Sequence, residues 1–483
     1  MNPLLLTDGY KVDHRRQYPT GTSLVYSNWT PRKSRIENID EVVFFGLQYF
    51  IKKYIIEDFD TCFFKQPKDE VVKKYARRIN NYLGENQVGT KHIEDLHDLG
   101  YIPMVFKALP EGVSVPIRVP MFTMYNTKPE FFWLTNYFET LLSAVIWLPC
   151  NSATIAKQYR TILDKYAQET SSIPDFANWQ AHDFSMRGMG GIEAAVTSAA
   201  GHLLSFTGTD TIPAIDFLEE YYNANSDLEL IGGSVAATEH SVMCMGTTEG
   251  EFETFKRLIS EVYPKGIVSI VSDTWDLWKV LTDYLPRLKS EISSREGKVV
   301  IRPDSGDPIH ILCGNPNGTT EAERKGVVEL LWDVFGGTTN DKGYKELIPQ
   351  IGAIYGDSIT LDRATQICEN LKQKGFASTN VVLGIGSFTY QYNTRDTFGF
   401  AMKATYGEVN GEGREIFKDP ITDDGTKKSA KGLMKILLEN NKYQLIDQVS
   451  WEEEKQGELK EVFRDGKLLI DYTLEEIRQR TKS

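Results

Sequence analysis

The stretch from about residue 180 to residue 390 alternates between short β-branched runs and helical patterns of ten to fifteen residues. This alternation is typical of βα units, which surround a parallel sheet with helices. Four runs predict strands that end in Gly, Ser or Asp, namely GIVSIVSD (266–273), GKVVIRPD (297–304), IGAIYGDS (351–358) and NVVLGIGS (380–387). The pattern therefore restricts this half of the chain to a parallel α/β fold.

Helical patterns with capping residues lie between the predicted strands, as an alternation of strands and helices requires. TEAERKGVVELLWDVF opens with a capping box from Thr320 to Glu323, and TLDRATQICENLKQKG has Thr360 as N-cap and Gly375 as C-terminal stop. In barrels built of such units, the polar residues that bind substrate follow the carboxyl ends of the strands. We therefore predict an α/β barrel over residues 151–390 that carries the active site.

The two ends of the chain do not alternate in this way. VFKALPEGVSVPIRVPMFTMYN (105–126) predicts short antiparallel strands punctuated by Pro and Gly. LKEVFRDGKLLIDY predicts a hairpin across Asp465–Gly466, and a short capped helix follows it. We predict a β-rich domain with helices over residues 1–150, which packs with and is completed by the C-terminal segment 391–483.

Composition narrows the possible functions. The chain has 483 residues and a formal net charge of −13, which argues against a general nucleic-acid binder because phosphate backbones are held by surplus Lys and Arg. The five cysteines are scattered and form no CxxC pair, so neither a zinc site nor a disulfide framework is indicated. MNPLLLTDGYKVDH does not resemble a signal peptide, and polar residues interrupt the apolar segment 131–150. We expect a cytoplasmic protein without a membrane segment.

The strand ends carry groups that suit a sugar phosphate. Arg302 can hold a phosphate through two hydrogen bonds, and Asp304 and Asp357 can each accept both hydrogens of a ribose diol. The turns YGDS and LGIGSF expose backbone N–H groups to an anion. Any one of these loops is better explained as a simple turn, but three in successive units favour a sugar-phosphate pocket.

The run GGSVAATEHS (232–241) places His240 beside Glu239. Asp273, in VSDTWD, can hold one ring nitrogen and leave the other as nucleophile or base. A lone histidine is more often structural than catalytic, although its place in the βα region favours a role in the site. No second histidine stands at ligand spacing, which disfavours a metal site.

The runs HDFSMRG (182–188) and TGTDT (207–211) form a third group. Phe184 offers an aromatic face, Arg187 a planar donor and Asp210 an acceptor, a set that suits a flat heteroaromatic ring with a donor group. The alternative places Phe184 in the core and makes Asp210 a helix cap. The residues alone leave both interpretations open.

Taken in order, the motifs resemble the nicotinamide phosphoribosyltransferase family. They are TDGYKVDHRRQYP, FFGLQYF, HDFSMRG, GTDT, SVAATEHS, VSDTWD, IRPDSGDP, YGDS, GIGS with TRD, and FKDP, and they extend from residue 4 to about residue 475. The resemblance implies an enzyme of NAD salvage that joins nicotinamide to 5-phosphoribosyl 1-pyrophosphate, giving nicotinamide mononucleotide and pyrophosphate. It also implies the type II phosphoribosyltransferase fold, an irregular α/β barrel with an additional β-rich domain from the N- and C-terminal segments.

The resemblance further implies a homodimer with shared active sites and a role for each matching residue. Nicotinamide would be bound by Phe184, Arg187, Asp210 and, from the partner chain, Tyr10. Ribose and phosphate would be bound by Arg302, Asp304, Ser305, Gly356, Asp357, Gly386, Ser387 and Ser269. The pyrophosphate would be bound by Arg32, Arg187, His240, Arg395, Lys403 and Lys418.

His240 would be phosphorylated by ATP in a side reaction that drives synthesis, with Asp273 and Glu239 in support. Asp304 joins these three as a catalytic residue. Mg²⁺ would be held mainly by the pyrophosphate and not by a metal site of the protein.

Two alternatives remain beside this interpretation. A nicotinate phosphoribosyltransferase would take a carboxylate, which Asp210 disfavours by like charge while it accepts an N–H from an amide. A non-catalytic nucleotide-sensing or signalling protein would not need His240, Asp304 and Arg302 together. We therefore expect an enzyme with a strong preference for nicotinamide.

Overall fold

A computed structural model describes residues 1–84, 88–356, 358–418 and 430–482. The chain divides into two compact units. The first unit comprises residues 1–154, 217–224 and 393–483, and the second comprises residues 155–216 and 225–392.

The strands of the described residues are numbered in chain order. They are β1 (Thr22–Thr30), β2 (Glu41–Val43), β3 (Met104–Ala108), β4 (Ser114–Pro116), β5 (Phe122–Asn126), β6 (Ala181–Asp183), β7 (Gly208–Thr209), β8 (Ala236–Ala237), β9 (Lys265–Val271), β10 (Glu296–Arg302), β11 (Gly337–Thr339), β12 (Lys345–Leu347), β13 (Ile351–Tyr355), β14 (Val381–Ile385), β15 (Ala401–Val409), β16 (Glu412–Glu415), β17 (Leu433–Glu439), β18 (Lys442–Val449), β19 (Lys460–Arg464) and β20 (Lys467–Leu468).

The α-helices of the described residues are numbered in the same way, and short 3₁₀ and π turns extend or connect several of them. They are α1 (His14–Gln17), α2 (Leu47–Phe50), α3 (Lys68–Leu83), α4 (Lys91–Leu99), α5 (Leu134–Tyr137), α6 (Glu139–Thr170), α7 (Ile192–His202), α8 (Pro213–Tyr222), α9 (His240–Met245), α10 (Glu251–Arg257), α11 (Leu277–Lys279), α12 (Leu285–Arg287), α13 (Lys289–Ser294), α14 (Pro308–Cys313), α15 (Glu321–Phe335), α16 (Leu361–Gln373), α17 (Ser387–Gln391), α18 (Trp451–Glu454) and α19 (Leu474–Lys482).

No single helix in these ranges is long and apolar enough to cross a membrane. The bent pair Pro129–Tyr137 and Glu139–Thr170 meets that test of length and composition only when the two are taken together.

The second unit is built on a seven-stranded parallel sheet in the order β7-β6-β14-β13-β10-β9-β8. Gly208 of β7 pairs with Gly233, just before β8, and the N–H of Thr209 donates to the carbonyl of Gly233 at 3.0 Å. These contacts join the two edges of the sheet and close it into an irregular barrel. The predicted α/β barrel is therefore confirmed.

The four strands predicted from the sequence are β9, β10, β13 and β14, and each ends two or three residues before its predicted end. The described Gly, Ser and Asp residues that close the predicted runs therefore lie beyond the strands, at the end of the barrel where such folds bind ligands. The predicted helix signals are confirmed as well. Thr320 and Glu323 form a capping box at α15, Thr360 caps α16, and Gly375 follows α16 with a φ of 77°.

Alternation along the barrel strands separates an outer face from an inner face. Val268 and Ile270 of β9 and Val299 and Ile301 of β10 are fully buried in one cluster with side chains of α15 and α16. The residues between them point the other way, into the barrel, because successive side chains of a strand face opposite sides. The outer face thus supplies the core, and the inner face is available for a site.

The first unit contains a seven-stranded sheet in the order β16-β15-β1-β5-β3-β19-β20. Its neighbouring strands are antiparallel, and the three strands from the N-terminal part of the chain lie between two pairs from the C-terminal part. The predicted hairpin is β19-β20, in which Asp465 and Gly466 have φ angles of 47° and 82°, the positive values that a two-residue turn requires. The prediction of a β-rich domain drawn from both termini is confirmed.

A buried ion pair joins the two ends of the chain within this unit. Lys107 Nζ of β3 lies 2.6 Å from Glu454 Oε2 at the end of α18, and the two side chains are 5% and 1% exposed. Tyr26 donates its hydroxyl to the other carboxylate oxygen of Glu454 at 3.4 Å. Both charges are thus paired, and removal of either one leaves the other buried without a partner.

We predict that Lys107→Met lowers the free energy of unfolding by about 3–5 kcal/mol, the usual cost of an uncompensated buried charge. Urea denaturation measures the change. The double variant Lys107→Met, Glu454→Leu should recover most of the loss, because no charge is then left buried. As a matched control, Lys455→Met removes an exposed pair with Glu452 and should cost at most about 1 kcal/mol. Equal midpoints for Lys107→Met and the wild type would contradict the prediction.

Candidate active site

The loops after β6 and β7 are held together by a buried carboxylate. Asp183 is fully buried and accepts hydrogen bonds from the hydroxyls of Thr209 at 2.8 Å, Thr211 at 2.7 Å and Ser185 at 2.6 Å. The backbone N–H of Ser185 also donates to Asp183, at 3.0 Å. These contacts fix the loop that carries Phe184 and the loop that carries Asp210.

Asp210 is held by two side chains of the same barrel rim. His182 Nε2 lies 2.8 Å from Asp210 Oδ1, and Ser234 Oγ donates to the same oxygen at 2.6 Å. Burial on its own would raise the pKa of Asp210, but these hydrogen bonds and the positive charge of Arg302 lower the pKa below its ordinary value. Asp210 is therefore an ionised carboxylate. Its side chain accepts from His182 and Ser234, so the structure does not support the alternative of a helix cap.

Phe184 directly follows β6, is half-buried, and packs against His182, the partner of Asp210. Its ring centroid is 4.6 Å from that of His182 and 5.9 Å from the guanidinium carbon of Arg302. The ring packs over Gly384 of β14, where a Cβ atom would come within 2.7 Å of Phe184 Cδ2. Phe184 thus forms a wall of the rim, and the glycine is what lets the ring lie there.

The loops after β10 and β13 meet at Asp304. A Cβ atom on Gly356 would lie 2.3 Å from Asp304 Oδ1, so only glycine fits that close approach. Among the described residues, no hydrogen bond reaches the carboxylate of Asp304, and the buried Nε of Arg302 has no partner either. These groups are therefore available to a ligand. Asp357 lies outside the described residues, so its predicted role is not assessed.

His240 is linked to the β10 loop by Asp273. His240 Nε2 lies 3.5 Å from Asp273 Oδ1, with the histidine 47% exposed and the aspartate 5% exposed. The other oxygen of Asp273 accepts from the backbone N–H of Asp304 at 2.7 Å and from the hydroxyl of Ser305 at 2.6 Å. Glu239, which precedes α9, accepts a hydrogen bond from Ser241. Asp273 therefore lies between the histidine and the loop after β10.

The remaining predicted residues of the second unit lie near the carboxyl ends of the barrel strands and differ in exposure. Arg187 is exposed in the turn Met186–Gly188, and Ser387 begins α17 directly after Gly386. Ser387 packs against Gly188, where a Cβ atom would lie 2.0 Å from its hydroxyl oxygen. Ser269 is buried on the inner face of β9, and its hydroxyl has no hydrogen-bond partner among the described residues.

The other predicted residues belong to the first unit. They are Tyr10, Arg32, Arg395, Lys403 and Lys418. Tyr10 is 62% exposed and lines, with Arg395, a cavity of about 250 Å³ in that unit. Burial lowers the pKa of Lys403, and the positive charges of Arg32, Lys418 and Lys11 lower it further, against the opposing charge of Glu139. The first unit therefore gathers several cations around Lys403, an arrangement that suits a polyanion.

Three residues of the rim were not identified from the sequence: His182, Asp183 and Ser234. His182 and Asp183 belong to β6 and Ser234 shortly precedes β8, and strands of two or three residues are too short to show a periodic pattern. The available signal was the polar pair His182–Asp183 directly before Phe184, at the end of a strand in an α/β barrel. Their partnership with Asp210 depends on closure of the barrel, which the sequence pattern does not specify.

A magnesium ion bound with pyrophosphate fits the residues present. Mg²⁺ is usually held by one or two carboxylates together with substrate phosphates. The unengaged carboxylate of Asp304 would supply one such ligand if the ion is bound. Among the described residues, no group of three or more His, Cys, Asp or Glu side chains could hold a metal ion by itself.

The chain is similar to known proteins over nearly its whole length. Residues 179–467 match the model of the nicotinate phosphoribosyltransferase family, and residues 2–97 match the N-terminal domain of nicotinamide phosphoribosyltransferase. The nicotinamide phosphoribosyltransferase of Acinetobacter baylyi is 54% identical over 99% of this chain and 97% of its own length. Those of Mycoplasma pneumoniae and Xanthomonas campestris are 37% and 32% identical, over 89% and 99% of this chain and 94% and 97% of their own lengths.

Two solved structures share the fold at low sequence identity. The nicotinate-nucleotide pyrophosphorylase of Pyrococcus furiosus aligns with a TM-score of 0.56 at 13% identity, covering 100% of this chain and 95% of that chain. Human nicotinic acid phosphoribosyltransferase aligns with a TM-score of 0.53 at 15% identity, covering 99% and 93%. The predicted type II phosphoribosyltransferase fold is confirmed, and the chain belongs to the nicotinamide phosphoribosyltransferase family.

Proposed function

We propose that this protein condenses nicotinamide with 5-phosphoribosyl 1-pyrophosphate to give nicotinamide mononucleotide and pyrophosphate. The observation that carries the proposal is that His182 contacts both the ionised carboxylate of Asp210 and the ring of Phe184. A pyridine ring needs a flat wall, and its carboxamide needs an acceptor. Oδ2 of Asp210 accepts no hydrogen bond from the described residues and is available for the amide N–H.

The sugar and phosphates would be bound at the loops after β10, β13 and β14. Arg302, whose buried Nε lacks a partner among the described residues, would bind a phosphate oxygen, and Asp304 would accept from the ribose hydroxyls. The amides of Gly386 and Ser387 would add N–H donors to the 5′-phosphate. Loss of pyrophosphate leaves a cation-like ribose, and a fixed carboxylate next to it stabilises that charge.

The pyridine nitrogen is the nucleophile of this reaction. It bears a lone pair and no proton, so no general base is required, and the site acts chiefly by holding the ring and the anomeric carbon in line. As the C–O bond to pyrophosphate breaks and the C–N bond forms, the negative charge moves onto the leaving group. A bound Mg²⁺ would neutralise that charge.

We propose a second role for His240, as acceptor of a phosphoryl group from ATP. The ring nitrogen that faces Asp273 would keep its proton, and the other would attack the γ-phosphorus as the bond to ADP breaks. The carboxylate of Asp273 would stabilise the positive charge on the ring. The other oxygen of Asp273 accepts a hydrogen bond from the backbone N–H of Asp304. Phosphorylation of His240 would therefore change the position or charge of the loop that binds the sugar.

The active protein is proposed to be a cytoplasmic homodimer. Tyr10 of one chain would cover the pyridine ring bound by the other, and Arg32, Arg395, Lys403 and Lys418 would bind the pyrophosphate end. The exposure of Tyr10 and the cation cluster around Lys403 support this assignment.

We predict that nicotinamide is preferred over nicotinate by at least about 100-fold in kcat/KM, because two facing carboxylates repel each other while an amide N–H is accepted. Asp210→Asn should reduce the preference at least about tenfold. Steady-state rates with both substrates measure it. Asp216→Asn, which changes an exposed carboxylate of α8, is the matched control and should retain the preference. Comparable efficiency with the two substrates would refute the assignment.

We predict that His240→Ala keeps basal synthesis of nicotinamide mononucleotide but loses its stimulation by ATP, because the phosphoryl acceptor is gone. Mass spectrometry of the product, with and without ATP, measures both rates. His310→Ala alters an exposed histidine of α14 and should leave the stimulation intact. Stimulation that persists in His240→Ala would exclude the phosphohistidine.

We predict that inactive Tyr10→Ala and Phe184→Ala chains regain activity when they are mixed and allowed to exchange subunits. In a mixed dimer one site lacks both rings and the other has both. An equal mixture should therefore reach about one quarter of wild-type activity, since half of its dimers are mixed and each has one intact site of two. No recovery after demonstrated subunit exchange would place both rings in one chain's site.

A further inference from the structure

A fully buried histidine joins the loops that carry the two halves of the proposed site. His202 is the last residue of α7 and is 0% exposed. Its Nε2 lies 3.2 Å from the carbonyl oxygen of Gly208 in β7, and its Nδ1 lies 2.6 Å from the hydroxyl oxygen of Tyr390 in α17. Tyr390 is buried as well. The pair formed by His202 and Tyr390 therefore links β7 to α17 through the interior of the second unit.

The hydrogen bonds of this pair run in one direction. Burial lowers the pKa of His202, so at neutral pH the ring is uncharged and carries one proton. A carbonyl oxygen can only accept, so Nε2 holds that proton and donates it to Gly208. Nδ1 is then an acceptor, and the hydroxyl of Tyr390 donates to it. Both ring nitrogens are satisfied in a single arrangement, which holds Tyr390 at a defined distance from β7.

Tyr390 lies one helical turn after the residues that would bind the 5′-phosphate. Gly386 precedes α17, and Ser387 begins it. Because α17 has only five residues, its contacts with the surrounding protein stabilise it more than its own backbone does. Thr389 also anchors this helix, since its hydroxyl donates to the carbonyl of Ile359 after β13 at 2.8 Å. The amides of Gly386 and Ser387 therefore depend for their position on side chains of the following turn.

Gly208 lies where the barrel closes, next to the residues that form the ring pocket. It pairs with His182 of β6 and with Gly233. A Cβ atom on Gly208 would come within 2.6 Å of His182 Nδ1, so β7 packs directly against the ring that contacts Asp210. Asp210 follows Gly208 by two residues. A displacement of β7 would therefore move Asp210 relative to His182.

We propose that His202 and Tyr390 are positioning residues that couple the two halves of the site. A phosphate bound at Gly386 and Ser387 orders α17, and the hydrogen bonds of the pair then order β7. Nicotinamide consequently binds beside Asp210 at a smaller cost in loop ordering. Coupling between two bound ligands is reciprocal, so nicotinamide strengthens phosphate binding by the same factor. This inference rests on the proposed function, because it uses the ligand positions assigned there.

Calorimetric titration with nicotinamide, in the presence and absence of saturating ribose 5-phosphate, measures the coupling. Ribose 5-phosphate supplies the sugar and its phosphate but has no pyrophosphate leaving group. The dissociation constant of the wild-type protein for nicotinamide should fall at least about fivefold when the sugar phosphate is present. A ratio of the two constants below about twofold would overturn the inference and leave the proposed function intact. Failure of nicotinamide to bind under either condition would overturn the proposed function itself.

Tyr390→Phe assigns the coupling to the pair, since it removes one hydroxyl and keeps the buried ring. It should lower the ratio to below about twofold and leave the affinity for nicotinamide alone within about threefold of the wild-type value. Tyr166→Phe is the matched control, because it removes a tyrosine hydrogen bond to Glu369 at 3.0 Å, between α6 and α16. It should keep the wild-type ratio. A bond that contributes only to stability would lower the unfolding midpoint of either variant and leave both ratios unchanged.

Two substitutions of His202 separate hydrogen bonding from packing. A glutamine amide has an acceptor and a donor and can keep both bonds, whereas leucine can make neither. His202→Gln should therefore retain a larger ratio than His202→Leu, which should fall below about twofold. If His202→Leu does not fold, Tyr390→Phe decides the question. A wild-type ratio in Tyr390→Phe, or in folded His202→Leu, would overturn the inference.

Discussion

The strict alternation of side chains along parallel strands is the constraint on which the barrel and its site depend. Val299 and Ile301 enter the core beneath the helices, so Lys298, Val300 and Arg302 must face the interior. A shift of one residue in the pairing of β10 would exchange the two sets and bury the arginine among helix side chains. The apolar core thus fixes the orientation of polar groups that it never touches.

Closure of the sheet converts this alternation into a site. Residues from β6, β7 and the segment before β8 are distant in sequence, yet the pairing of Gly208 with Gly233 brings Ser234 and Asp210 together. Asp183 then ties the loops after β6 and β7 through hydroxyl groups. A buried carboxylate is tolerated there because hydrogen-bond donors surround it. Its role is to position Phe184 and Asp210, not to bind a ligand.

The sequence specified the barrel well and the rim only in part. Four barrel strands were predictable because each has at least five residues with a β-branched run: β9, β10, β13 and β14. Helix α15 was predictable because Thr320 and Glu323 form the capping box at its start. Strands β6, β7 and β8 have two or three residues and no period to detect. Contacts such as His182 with Asp210 arise only after closure. The residue types in each loop therefore predicted which loops carry the site. They did not predict which neighbouring side chains contact the site residues and shift their pKa values.

Lys298 and Arg302 differ in their surroundings although they share one face of one strand. Arg302 lies at the rim, 5.9 Å from Phe184, where its charge lowers the pKa of Asp210 and so is partly balanced. Lys298 lies four residues earlier, and the described residues give it an aromatic ring and a glycine instead of a carboxylate. An ammonium group loses more hydration than such neighbours return, so burial lowers the pKa of Lys298. Two cations on one face of one strand therefore differ in electrostatics because only the one at the rim has a carboxylate of the described residues within its reach.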